Sequence, residues 1–378
     1  MGPSHQVPLA PYTTLGLGGP AAGFIEPGTE AALAEAVRAA DERGEPLLVL
    51  GGGSNVVIAD EGFPGLVIRV ATRGVTAAPL GPDGPDGGPS GGPDGGPNGG
   101  PDGGPNGGTV QLTVAAGESW DDVVAYCVAE DLAGLECLSG IPGLAGATPI
   151  QNVGAYGQEV ADTIVSVRAW DRDRATITDI PAADCGFGYR TSRFKRNGRH
   201  VVLAVTFRLT RSPRSAPVRY PDLAAALGVT AGDRVPLGEA RSAVLKIRAR
   251  KGMVLDAGDP DSRSAGSFFT NPILTEAEFE DLAGRHDGPV PHFPAGSGLV
   301  KVPAAWLIEQ AGFGKGHQGP GPAPARISRK HTLALINPGD ATTASLLALA
   351  REIQDGVQGT FGVRLDIEPV LVGAFTSG

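Results

Sequence analysis

Hydrophobic and polar positions along this chain switch between helical and strand periods, and the switches mark out its elements. In residues 29–43, Leu33 and Val37 lie on one helical face. Thr29 supplies an N-cap, Glu30 favours the first turn and Gly44 ends the run, so a helix is expected. Residues 46–50 read as a short buried strand running into glycines, and 66–70 as another. Residues 110–115, 164–171 and 201–209 read as strands, and Ser119 opens a helix to about Glu130. In the last third, helices are expected at 240–250, 275–283, 303–311 and 342–357, the second with a Thr275/Glu278 capping box. Strands are expected there at 332–336 and 364–371.

One segment fits no element. From Pro85 the chain repeats Pro-Asp/Ser/Asn-Gly-Gly through Pro105, and its period of four rules out collagen. With no apolar side chains beyond proline it cannot offset its ordering entropy, so residues 81–108 read as a disordered insert. A second composition break, Arg-Ser-Pro-Arg-Ser-Ala-Pro at 211–217, separates two α+β regions.

Composition narrows the function classes. A net charge of −10 over 378 residues gives no global basic field, so neither nucleic acid nor a membrane surface is an expected partner. No apolar run approaches a membrane span, and residues 1–11 lack the features of a signal peptide. Cys127, Cys137 and Cys185 are sparse, odd in number and without a C-x-x-C pair, which fits a reducing cytoplasm. No metal site is expected.

The candidate chemistry lies in four segments. Gly51-Gly52-Gly53-Ser54-Asn55 follows a strand, and its glycines let the backbone approach a phosphate closely. Taken alone, Gly-Gly-Gly-Ser is usually just a turn, and it matches neither the Rossmann nor the P-loop pattern. Ile141-Pro-Gly-Leu-Ala-Gly-Ala-Thr-Pro-Ile-Gln-Asn-Val-Gly-Ala-Tyr-Gly157 is dense in small residues, which lets the chain lie against a large planar or anionic ligand, although glycine-dense loops also pack tightly on themselves. The third segment is Gly188-Tyr189-Arg190-Thr191-Ser192. The fourth, Ala265-Gly266-Ser267-Phe268-Phe269-Thr270-Asn271-Pro272, lacks the G-x-S-x-G frame of a hydrolase elbow.

In this order the four segments resemble the bacterial UDP-N-acetylenolpyruvoylglucosamine reductases, flavoenzymes of peptidoglycan precursor synthesis. The resemblance runs from about Thr13 to Gly373, the insert excepted. It implies an α+β fold: a two-lobed FAD-binding fold of the vanillyl-alcohol-oxidase type, followed by an α+β substrate-binding C-terminal domain. The expected boundaries are 1–70 for the first FAD lobe, 71–215 for the second, which carries the insert, and 216–378 for the substrate domain. A last strand near 363–373 is a candidate to return to the FAD domain.

The resemblance also implies site residues. FAD is expected against Gly51, Gly52, Gly53, Ser54, Asn55, Gly146, Gln151, Asn152, Gly154 and Ala155. Binding is expected to be non-covalent, since no His lies between residues 6 and 199 and the cysteines are far from both glycine loops in sequence. NADPH is the implied hydride donor and the enolpyruvyl ether of a UDP-sugar the acceptor. The catalytic positions implied are Ser267 as proton donor, Arg190 and Glu368. Reducing an enolpyruvyl ether builds negative charge on its carboxylate, which a guanidinium fork stabilises, and the neighbouring carbon needs an acid. Tyr156, Tyr220, Lys251, Asn271, Lys301 and Gln310 are implied substrate contacts, the tyrosines marking the longer of the family's two types. A monomer is expected. Two other readings stay open from residues alone. One is an alcohol or carbohydrate oxidase of the same flavin fold. The other is a non-catalytic UDP-sugar-binding protein.

Overall fold

A computed structural model describes residues 2–80 and 108–374. The insert lies outside these residues except for Gly108. Its described neighbours, Leu80 and Thr109, are register partners of one antiparallel hairpin.

The chain divides into two compact units, each assembled from separated stretches of sequence. The central unit comprises Glu26–Arg43 and Val70–Ile247, and the terminal unit Met1–Ile25, Gly44–Arg69 and Arg248–Gly378.

The central unit is built on an antiparallel sheet. Its strands run in the order Thr176–Pro181, Ile164–Asp171, His200–Arg211, Thr109–Ala115 and Val75–Leu80, with the two-residue strand Leu132–Ala133 also paired to His200–Arg211. Alternation sets the faces: Val110, Leu112 and Val114 are buried while the residues between them are half-buried. The expected helix at 29–43 forms as Glu30–Glu42, and the Thr29 hydroxyl accepts from the Ala32 amide. Two arginines of strand Ile164–Asp171 and the turn after it hold this helix. Arg168 meets Glu30 at 2.9 Å, and Arg172 meets Asp41 at 3.0 Å. Helix Trp120–Ala129 begins after Ser119 and buries Trp120, whose indole N–H donates to the Leu138 carbonyl.

The terminal unit holds a mixed sheet in the order Ser4–Pro8, Pro20–Ile25, Phe63–Arg69, Leu47–Leu50; the first pair is antiparallel and the rest parallel. Its largest core surrounds helix Thr343–Phe361, whose buried positions Leu346, Leu349, Ala350, Ile353, Val357 and Phe361 recur at helical spacing. Asp60 caps this helix by accepting from the amides of Thr343 and Ala344. The capping box of helix Glu276–Ala283 forms as expected.

Two expected strands shrink. At 332–336 only Leu335–Ile336 pairs, because the amide of Ala334 turns back onto the His331 carbonyl. At 364–371 only the C-terminal end joins a ladder: Val370–Val372 runs parallel to Val56–Ile58. Pro369 offers no amide, and that of Glu368 is drawn to the Phe268 carbonyl instead.

Candidate active site

In the terminal unit, strand Leu47–Leu50 delivers the chain into Gly51–Asn55. Gly53 has φ +63°, and a Cβ there would fall 1.9 Å from the carbonyl oxygen of Tyr12. Only glycine fits, and the loop is nearly all main chain. At its far end the Asn55 carbonyl accepts from the Val370 amide at 2.9 Å. Two residues earlier, the Glu368 amide donates to Phe268 at 2.9 Å, and Phe269 pairs with Ile367. The glycine loop, Glu368 and the Ser267 turn are therefore laced together within one unit. Phe268 and Phe269 are fully buried, 5.4 Å apart edge to face, and anchor the turn. Ser267 is half-buried on it, and its hydroxyl has no hydrogen-bond partner among the described residues. Glu368 is buried at 9 % exposure.

The other sequence-predicted residues of this unit spread more widely. Lys301 lies in the strand Leu299–Lys301, in register with Ile273 on one side and Phe293 on the other. Phe293 is 56 % exposed, an aromatic ring left open beside a candidate anion contact. The sequence reading passed it over because a two-residue strand, Phe293–Pro294, gives no periodic signal. Asn271 spends its carbonyl oxygen on the amide of Ala304, capping helix Ala304–Gln310, so that residue braces the helix whose last position is Gln310. Lys251 just follows helix Leu237–Arg250 and acts electrostatically on His331, together with Lys315.

His331 is held neutral down to about pH 4, by burial first and by those lysines second. The unfolded chain takes up this proton near 6.5, so between the two values the unfolded state binds more protons and stability falls as pH falls. We expect His331→Gln to flatten the decline of the thermal midpoint between pH 6.5 and about 4 relative to wild type. An unchanged slope would contradict this.

In the central unit, the small-residue loop is closed by Asn152, which is buried and left-handed at φ +49°. Its amide nitrogen donates to Glu159 at 2.6 Å and to the Gly188 carbonyl at 3.2 Å, and its oxygen accepts from Ala161. With the side chain fully engaged inside the protein, Asn152 fixes the loop that carries Arg190. Arg190 is also left-handed, at φ +51°. Its guanidinium donates to the Gly154 carbonyl at 2.7 Å and lies over the Tyr189 ring. Residues with side chains seldom hold this conformation, and Asn152, Tyr156 and Arg190 all do. Gly146 packs so tightly on Ala116 that a Cβ would lie 2.4 Å from that residue's own Cβ. Gln151 is half-buried before Asn152, and Ala155 lies with Gly154 in a two-residue strand paired to Gln158–Glu159. Tyr156 and Tyr220 meet edge to face at 5.5 Å. Burial and the charge of Asp222 push the Tyr220 phenol up, so it remains an O–H donor at neutral pH. The stretch leading to Tyr220 is tied down by Glu136, a 1 % exposed carboxylate that accepts from Gly134, Gln158 and Ala216. Glu136 carried no sequence signal, since a buried carboxylate with three donors is assembled by the fold.

Gly53 and Gly146 are the points where each loop packs most closely on the protein's own chain, so a side chain at either would displace a loop expected to meet FAD. A glycine loop after a strand in one unit and a small-residue loop beside a fixed arginine in the other are the features expected of a flavin-dependent oxidoreductase with an α+β architecture. Comparison with known proteins narrows the class. Residues 21–77 and 106–180 match the family model of an FAD-binding domain, and residues 259–372 that of the UDP-N-acetylenolpyruvoylglucosamine reductase C-terminal domain. The chain is 53 % identical over 373 residues to a UDP-N-acetylenolpyruvoylglucosamine reductase of Salinispora arenicola, covering 98 % of this chain and 96 % of that one. It is 51 % identical over 376 residues to that of Thermobifida fusca, covering 98 % of each chain. The crystal structure of the reductase from Thermus caldophilus superposes with a TM-score of 0.62 at 25 % identity, covering 98 % of both chains. The chain belongs to the UDP-N-acetylenolpyruvoylglucosamine reductase family.

Proposed function

We infer that this protein is an FAD-containing oxidoreductase that uses NADPH to reduce the enolpyruvyl ether of UDP-N-acetylglucosamine to UDP-N-acetylmuramate, a step of peptidoglycan synthesis. The observation that carries this reading into chemistry is the lacing of Ser267, Glu368 and the glycine loop into one unit through the Phe268 and Asn55 carbonyls. When bound, FAD supplies the hydride that the ether's terminal carbon receives.

The chain's own residues do the rest. Gly51–Asn55 and the 141–157 loop hold the cofactor through main chain, with Asn152 fixing the second loop from behind. No covalent link is proposed. Burial pushes the thiols of Cys127 and Cys137 up to about 12 and that of Cys185 to about 11, which leaves them unreactive. Arg190, fixed by Gly154, is the residue suited to stabilise the negative charge that builds on the substrate carboxylate. Ser267 holds the proton for the neighbouring carbon. A serine hydroxyl is a very weak acid, and it serves because an enolate-like carbon is a strong base. Glu368, in its protonated form, donates a hydrogen bond to the developing enolate. Tyr156 and Tyr220 are the proposed substrate contacts of the central unit, and Lys251, Lys301, Asn271 and Gln310 those of the terminal unit, with Phe293 beside Lys301. Residues 1–70 and 71–215 form the FAD lobes in this reading, and 216–378 the substrate domain. No helix among the described residues is long and apolar enough to cross a membrane. A cytoplasmic monomer fits an enzyme that draws on NADPH and a UDP-sugar.

Anaerobic flavin absorbance tests the reading. NADPH should bleach the visible band, and the UDP-sugar enolpyruvyl ether should restore it. Bleaching without recovery would keep the flavin and refute the substrate.

A further inference from the structure

Thr14 lies outside the four segments that carry the candidate chemistry. Its amide donates to the Gly53 carbonyl at 3.1 Å. Its hydroxyl donates to the Ser264 carbonyl at 2.6 Å, with a long second contact to the Gly53 carbonyl at 3.5 Å. One residue thus joins the tightest point of the glycine loop to the start of the turn that presents Ser267.

Ser264 governs that turn. Its own hydroxyl accepts from the Gly266 amide at 3.2 Å, and Gly266 takes the left-handed φ of +74° that sets the direction of the next residue, Ser267. On the far side the turn is fixed, since the Phe268 amide donates to Leu333 and the Phe268 ring is fully buried. On the near side, Ser264 bridges to Ile336, and the Thr14 hydroxyl holds its carbonyl. Thr13 stiffens the same segment by donating to Ala10 and Leu17 and accepting from the Leu17 amide. Thr14 is therefore held on a rigid post.

We propose that Thr14 is a positioning residue for the proton-transfer step: its hydroxyl sets Ser267 relative to the glycine loop. The proposal rests on Ser267 being the proton donor. A reacting group displaced by about 1 Å costs on the order of a hundredfold in rate, so loss of one such tie has a measurable effect.

The test uses the full-length, FAD-loaded protein and four variants: Thr14→Val, which keeps the shape and removes the hydroxyl; Thr14→Ser, which restores it; Ser267→Ala; and Thr14→Val combined with Ser267→Ala. Flavin-to-protein ratio, thermal midpoint, flavin reduction by NADPH and flavin reoxidation by the ether are measured separately. For Thr14→Val, flavin content and reduction should stay within about twofold of wild type, while reoxidation slows about tenfold or more. Thr14→Ser should recover most of the loss. The double variant should be no slower than Ser267→Ala, since both changes act through one hydroxyl. Equal slowing of both half-reactions, loss of flavin, normal reoxidation, or failure to isolate Thr14→Val loaded with FAD would each overturn the proposal. If Ser267→Ala itself reoxidises at the wild-type rate, the proton-donor reading fails with it. If Ser267→Ala is slow and Thr14→Val is not, only the role of Thr14 falls.

Discussion

Replacing Ser267 with alanine should leave flavin reduction by NADPH within about twofold of wild type and slow reduction of the enolpyruvyl ether roughly 10²–10⁴-fold, the range attributed to a positioned general acid. The asymmetry follows from the geometry. Ser267 has no hydrogen-bond partner among the described residues, so its removal breaks no bond that holds the turn. Phe268 and Phe269 still anchor the segment, and the Glu368 amide still meets the Phe268 carbonyl. The glycine loop, tied at Asn55 to Val370, is untouched. What is lost is a proton at one point, needed only when the substrate carbon becomes basic. Stopped-flow absorbance of the two half-reactions measures this directly. Equal losses in both would show that Ser267 supports the fold or the cofactor instead.

Gly53→Ala should give a colourless protein with a lowered unfolding midpoint. The new Cβ would meet the Tyr12 carbonyl oxygen at 1.9 Å and the Thr13 Cα at 2.8 Å, both main-chain atoms that cannot swing aside. The residue would also be held at φ +63°, where a side chain is strained. Displacing this loop breaks the Thr14–Gly53 bond and moves the main chain expected to meet the cofactor. A cost of about 3 kcal/mol or more is typical when overpacking and backbone strain coincide. Gly28→Ala is the control. It is exposed, has no heavy atom within 4 Å of its would-be Cβ, and should keep both flavin and stability. Full flavin occupancy in Gly53→Ala would refute the account of this loop.

Local sequence alone marks out the small residues massed at 141–157, whereas the Ser267 turn and the Arg190 segment gain meaning only from the family resemblance. Helices with caps were equally plain, because Thr29, Thr275 and Thr342 each signal a start from within their own turn. Long-range pairing was not. Strand Pro20–Ile25 carries a proline, a glycine and two alanines, a weak local signal, and forms through its neighbours Ser4–Pro8 and Phe63–Arg69. The expected strand at 364–371 was read from its apolar residues, but the bonding of its backbone depends on Phe268, about a hundred positions away, and on Asn55 and Val56–Ile58, more than three hundred away. Thr14 and Glu136 were invisible for the same reason: each matters through partners that only the fold brings near.

The parallel pairing of Val370–Val372 with Val56–Ile58 also bears on how the chain is made. On a ribosome, every residue of the central unit has been synthesised once Ile247 has, so its sheet can close early. The terminal unit cannot. Val56–Ile58 waits for a partner encoded more than three hundred residues later, while the glycine loop hangs from one end of that unfinished pair. At about 5–20 residues per second, the interval between completing one unit and supplying the last strand of the other is on the order of ten seconds. The loop expected to hold the cofactor therefore gains its Asn55 tie only after Val370 has been made, and truncation anywhere before Val370 leaves it without that tie.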